Sequence, residues 1–174
     1  VTVGVLPALG LGLLAACLLF VYVYAQIDVV RLFTTAAHLR ARVERSPQER
    51  ELLSRTGERI HIYKLSGFLF FGTAQRLLQR LQRSLQGGPQ GQAAPQVIVV
   101  DLKRIVGFDL SAWDAFGRLS RRCAEHAVRL VLTSPPPALA KQFQHQLAAL
   151  HDPQLRAAGD LDSVLAALEA QSLA

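Results

Sequence analysis

From Val1 to Ile27 no charged residue interrupts the chain. Val3 to Ala25 is long enough, at about 1.5 Å per residue, to cross a hydrocarbon layer of about 30 Å. The pattern predicts a transmembrane helix over residues 1–26. Gly4, Ala8, Gly12 and Ala16 recur every four residues and make one smooth stripe suited to packing against other helices. The alternative is a secretory signal peptide ending at Val23-Tyr24-Ala25. Against it, no basic segment precedes the apolar run, which is also longer than a signal core.

Beyond the apolar segment the pattern turns polar and then alternates. Residues 27–58 read as a basic connector, in which SPQERELLSRTGE predicts a short helix opened at Ser46 and Pro47 and closed near Gly57. Ile60, Ile62 and Leu65 alternate with His61 and Lys64, the pattern of a half-exposed strand with His61 toward solvent. Gly67 punctuates, and Phe68 to Phe71 predict a second strand broken at Gly72. Thr73 can then cap a helix whose apolar stripe is Ala74, Leu77, Leu78, Leu81 and Leu85, with Arg76, Arg80 and Arg83 outside. Residues 87–96, GGPQGQAAPQ, read as a flexible loop.

Val97 to Val100 form a β-branched run without alternation, which suits a strand covered on both faces. Asp101 closes the run and Gly107 marks a turn. Ser111 and Asp114 have the S-x-x-D spacing of a capping box ahead of Ala112, Ala115, Phe116, Leu119 and Cys123 at helical intervals. Arg129 to Thr133 predict another strand. Ser134 and three prolines lead into a helix carrying Leu139, Phe143, Leu147 and Leu150, and a last helix after Gly159 buries Leu161, Val164, Leu165 and Leu168. Strand and helix alternate from residue 60 onward, so residues 59–174 are expected to form an α/β domain of about four to five strands flanked by helices.

At 174 residues and 51% hydrophobic, the chain can bury a core of ordinary size. Its formal charge is +6. Directly after the apolar segment, Arg31, Arg40, Arg42 and Arg45 outnumber Asp28 and Glu44, which predicts a cytoplasmic side for everything beyond about residue 26 and a place in the cell membrane. Aromatic residues are not interleaved with the arginines as a nucleic-acid stacking platform requires, so nucleic acid is not an expected partner. Cys17 and Cys123 have neither disulfide-framework nor metal-ligand spacing, and fit a reducing compartment. With no methionine anywhere, the chain reads as a piece of a longer polypeptide unless Val1 stands for an alternative start codon.

The runs GFLFFGTAQRL, VIVVDLKRIVGFDLSAWDAF, RLVLTSP and GDLDSVLAAL resemble the STAS domain of SulP-type anion transporters, a fold shared with anti-sigma factor antagonists. The resemblance covers roughly residues 59–171. The apolar helix and arginine-bearing connector before it resemble the end of a SulP membrane domain. The resemblance implies a mixed sheet with helices packed on one side, and a regulatory or trafficking role beneath a transporter dimer. Its implied partners are the rest of the membrane domain, a second copy and a cytosolic protein. Stand-alone relatives carry a D-S-S/T-G motif whose first serine accepts a phosphate from a kinase. Here Asp109 matches the aspartate, Leu110 stands at the phosphoacceptor position, Ser111 matches the second hydroxyl residue and Ala112 replaces the glycine.

The candidate site is therefore the segment holding Phe108, Asp109, Leu110, Ser111 and Trp113. Ser111 is either a helix cap or a residue whose phosphate a helix N-terminus would tolerate. Phe108, Leu110 and Trp113 either present a docking tip or tuck into the sheet edge. Asp101, Asp109 and Asp114 read as caps and loop fixers in preference to a catalytic set. No phosphate loop, nucleophile elbow or histidine pair at metal spacing is present, so neither an enzyme nor a cofactor is expected. The function expected is that of a cytosolic regulatory domain, with its terminal transmembrane helix, of a SulP-like anion (sulfate) transporter. The rival is a membrane-tethered module, similar to an anti-sigma antagonist, that binds a kinase or another protein.

Overall fold

A computed structural model describes residues 2–25, 28–43, 46–87, 93–150 and 155–173. Glu44, Arg45, the middle of the expected loop at 88–92 and the side chains of Leu147 and Leu150 lie outside the described residues. Helix α1, Thr2–Ala25, includes Gly4–Val23, a stretch of mean hydropathy 2.4 with none of it buried. Among the described residues it is the one helix long and apolar enough to cross a membrane.

Two strands that the hydrophobic pattern hid complete the sheet. Strand β1, Val30–Thr35, lies in the segment read as a connector. It pairs antiparallel with β2, Ile60–Leu69, and between them α2, Pro47–Gly57, is opened by a capping box of Ser46 and Glu49. Helix α3, Phe71–Leu85, leads to β3, Val97–Phe108, and α4, Leu110–Glu125, to β4, Arg129–Thr133. A short 3-10 turn, Pro137–Leu139, and α5, Ala140–Leu150, bring the chain to β5, Leu155–Ala158, and α6, Leu161–Leu173, closes it. The sheet order is β1-β2-β3-β4-β5, parallel from β2 onward.

Right-handed crossovers between neighbouring parallel strands place α3, α4 and α5 on one face. There Ile98, Val100 and Leu102 of β3 meet Leu77 and Leu81 of α3, Phe116 and Leu119 of α4 and Phe143 of α5. The opposite face is also covered, in contrast to the one-sided packing that the resemblance implies. Val97, Val99, Ile62 and Val131 meet Val164, Leu165 and Leu168 of α6. Both faces being buried explains the unbroken β-branched run at 97–100.

Three local expectations are corrected. The strands expected at 60–65 and 68–71 are one strand ending at Leu69, with Phe71 already in α3, because Gly67, at φ +95°, absorbs an irregularity in register without ending the pairing with β3. His61 does not face solvent. Its side chain is wholly buried, shares a 2.7 Å hydrogen bond between Nδ1 and the Ser84 hydroxyl of α3, and meets Phe33 edge to face. β3 does not close at Asp101 and turn at Gly107 but runs to Phe108. Gly107 is small because the Phe68 ring of the adjacent strand lies over it, 2.4 Å from where a Cβ would stand.

Candidate functional site

The ends of β2 and β3 and the starts of α3 and α4 converge on Asp109. Its Oδ1 accepts from the Ala112 amide at 2.9 Å, making it the N-cap of α4. Its Oδ2 accepts from the Phe71 amide at 3.2 Å, the first residue of α3. One carboxylate thus satisfies an unpaired amide on each of two helices and sits at the positive end of both dipoles. The cap expected at Ser111 falls to Asp109, since α4 begins at Leu110, one residue before that serine, and Ser111 lies half-exposed within the first turn. Thr73 likewise does not precede α3. From the first turn its hydroxyl accepts from the Phe70 amide at 3.0 Å and so completes the helix start from within.

The two alternatives for the apolar residues divide. Phe108 and Trp113 turn inward, 8% and 3% exposed, with ring centroids 5.3 Å apart and the Phe143 ring tilted against the indole at 5.1 Å. Leu110 turns outward and is 74% exposed. Phe108 ends β3 buried in the same core as Ile105 and Trp113 lies on the buried stripe of α4, whereas Leu110, the first residue of that helix, is turned to solvent. Three residues not assigned to the site surround it on the outside: Val106, Phe71 and Phe68 are all exposed. Phe68 pairs with Gly107 and Phe71 is held to Asp109, so the four side chains share one end of the sheet.

The three acids of this region each have a structural task. Asp101, buried, accepts from the Lys103 amide at 3.1 Å, Asp109 caps, and Asp114 pairs with Arg118 at 2.8 Å one helical turn on. Beyond the carboxyl end of β4, a hollow of about 350 Å³ has mixed charge, with Arg40, Arg42, Lys64 and Lys103 beside Asp101, Asp160 and Asp162. Hydrogen bonds from Ser163 hold the exposed Asp160 carboxyl below its usual range. Its Oδ1 accepts from the Ser163 amide at the start of α6. Among the described residues, no three His, Cys, Asp or Glu side chains gather as a metal ion requires.

The STAS domain family matches residues 51–151 of the chain, more than half of it. The chain belongs to that family. A curated relative of this STAS domain, the vacuolar basic amino acid transporter VSB1 of Saccharomyces cerevisiae, is 26% identical over 127 residues. Those residues are 71% of this chain and 12% of that protein, so the chain spans about an eighth of its relative. The STAS domain of a SulP transporter from Vibrio cholerae superposes with TM-score 0.50 at 13% identity, over 72% of this chain and 97% of that one. SLC26A9 gives TM-score 0.50 at 18% identity, over 66% of this chain and 20% of its own. At these identities the two structures show a shared fold.

Proposed function

We propose that this STAS domain is the cytosolic regulatory and interaction part of a SulP-like secondary transporter of anions such as sulfate, joined by α1 to the transporter's membrane domain at the cell membrane. The observation that carries the reading is the short path from α1 into the sheet. Val30 begins β1 five residues past Ala25, and Asp28 between them accepts from the Val30 amide at 2.9 Å and pairs with Arg80 of α3. Asp28, three residues past a helix fit to span a bilayer, thereby ties the start of the first strand to the first crossover helix. Two of the similar proteins are named as transporters, which agrees with that arrangement. One helix does not build a transport site, which takes several helices near the bilayer midplane. The domain's contribution is contact and control.

Within that role, the contact surface is the exposed apolar group of Val106, Leu110, Phe71 and Phe68 around Asp109 and Ser111. Its occupant is the transporter's own membrane domain or that of a second copy. The test expresses the gene's whole reading frame, reconstitutes the product in vesicles and measures labelled sulfate uptake against labelled lysine uptake. Sulfate uptake is expected, reduced several-fold by Val106→Asp with Leu110→Asp while insertion and melting temperature stay unchanged. Lysine uptake without sulfate uptake would overturn the anion reading. A double variant indistinguishable from the parent would overturn the contact surface.

A further inference from the structure

We propose that Arg76, Arg80 and Arg83 of α3 form a docking surface for the phosphates of anionic phospholipid headgroups. The inference rests on the reading of α1 as a membrane-crossing helix. The three arginines follow at intervals of four and three residues and share one helix face. With Asp28, Gln79 and Ser84 they line a hollow of about 570 Å³ in which Asp28 is the one acid among the described residues. Arg76 and Arg83 are exposed and Arg80 is half-buried in its ion pair with Asp28. Their height relative to a membrane follows from the chain. Asp28 stands three residues past the end of α1, at most about 10 Å of extended backbone, and α1 touches α3. The headgroup zone beyond the hydrocarbon is about 5–7 Å deep on each side. The arginine face of α3 is therefore within reach of the depth at which lipid phosphates lie. Guanidinium forks match phosphate oxygens two at a time, which suits arginine better than lysine to this task. Each is expected to raise headgroup affinity about fivefold.

The test places the full chain in nanodiscs of phosphatidylcholine with or without phosphatidylglycerol. Phenylglyoxal labelling of each arginine is read by mass spectrometry, with Arg55 on the far side of the sheet as reference. Labelling of Arg76 and Arg83 should fall at least about fivefold when phosphatidylglycerol is present and recover in high salt. Arg76→Gln with Arg83→Gln, which leaves the Arg80 and Asp28 pair intact, should retain less phosphatidylglycerol in native mass spectra. Equal protection by inorganic phosphate in neutral discs would make this a free-anion site and overturn the lipid surface. No protection while α1 stays resistant to carbonate extraction would overturn it alone. Failure of α1 to insert would overturn both this surface and the membrane attachment beneath it.

Discussion

Replacing Asp109 separates the two bonds that its carboxylate makes. In Asp109→Ala both the Ala112 and the Phe71 amides lose their acceptor. Loss of an N-cap costs about 1 kcal/mol. The Phe71 bond is exposed, so water replaces much of it and its loss adds about 0.5 kcal/mol. Removing a negative charge from two helix N-termini adds about 0.5 kcal/mol more at low salt. The sum is about 2 kcal/mol, or roughly 6 °C in melting temperature for a chain of this size. Asp109→Asn keeps a carbonyl oxygen for Ala112 but offers a donor to the Phe71 amide, and should cost about 1 kcal/mol, roughly 3 °C. Trp113, the sole tryptophan, is buried four residues away, so its fluorescence during urea unfolding in detergent reports the transition directly. The denaturant slope should not change. If Asn costs as much as Ala, the cap on α4 is not what the residue supplies. If Ala costs nothing measurable, the shared capping argument is refuted.

Burial lowers the pKa of His61, so the unfolded chain takes up a proton at a pH where the folded chain does not. Stability should fall as pH drops below about 6.5 toward the folded value, by at most about 1.4 kcal/mol per pH unit, then level off. His61→Gln should flatten that segment of a stability-versus-pH curve, and an unchanged curve would remove His61 as its cause. A Cβ on Gly57 would meet the Ala37 amide nitrogen at 2.6 Å, backbone that cannot swing aside. Gly57→Ala should therefore cost about 1–3 kcal/mol by chemical denaturation. Glu169, buried on α6, accepts from the Ala41 amide at 2.9 Å. Glu169→Ala should cost about 2 kcal/mol and Glu169→Gln, which keeps an acceptor, less than half of that. Ser111 should take phosphate from a cognate kinase without unfolding the domain, because a first-turn position tolerates the charge. Mass spectrometry after incubation with candidate kinases, finding none modified, would end that reading.

The stripes of α3, α4 and α6 were legible because each helix buries one face, and a 3.6-residue period survives in the order of Leu77, Leu78 and Leu81 or of Val164, Leu165 and Leu168. β1 was not, since VRLFTT buries only its ends and carries an arginine, as an edge strand does. β5 escaped because four residues, LRAA, are too few to show a period. His61 was misplaced for a different reason. Alternation identifies two faces of a strand but not whether a helix covers the second one, and Ser84, the residue that makes burial of the imidazole tolerable, lies 23 positions away. At the site, the resemblance to the D-S-S/T-G motif drew attention to Asp109, and the bond it makes as N-cap of α4 was within reach of local sequence. Its second bond, to Phe71, depends on β2 and β3 ending side by side, which only the tertiary arrangement reveals.

Each strand of the sheet lies beside the one made just before it. A chain emerging from the ribosome at about 5–20 residues per second therefore never has to hold a strand in reserve for a partner not yet synthesised. β2 can close on β1 while α3 is still being made, and every later strand adds to a finished edge, with β5 and α6 last. Growth by accretion leaves β1 as one fixed edge while the other advances with each new strand, and that advancing edge ends on a strand of only four residues. The assembly thus ends on a boundary too short to recruit a stray strand from a neighbouring nascent chain.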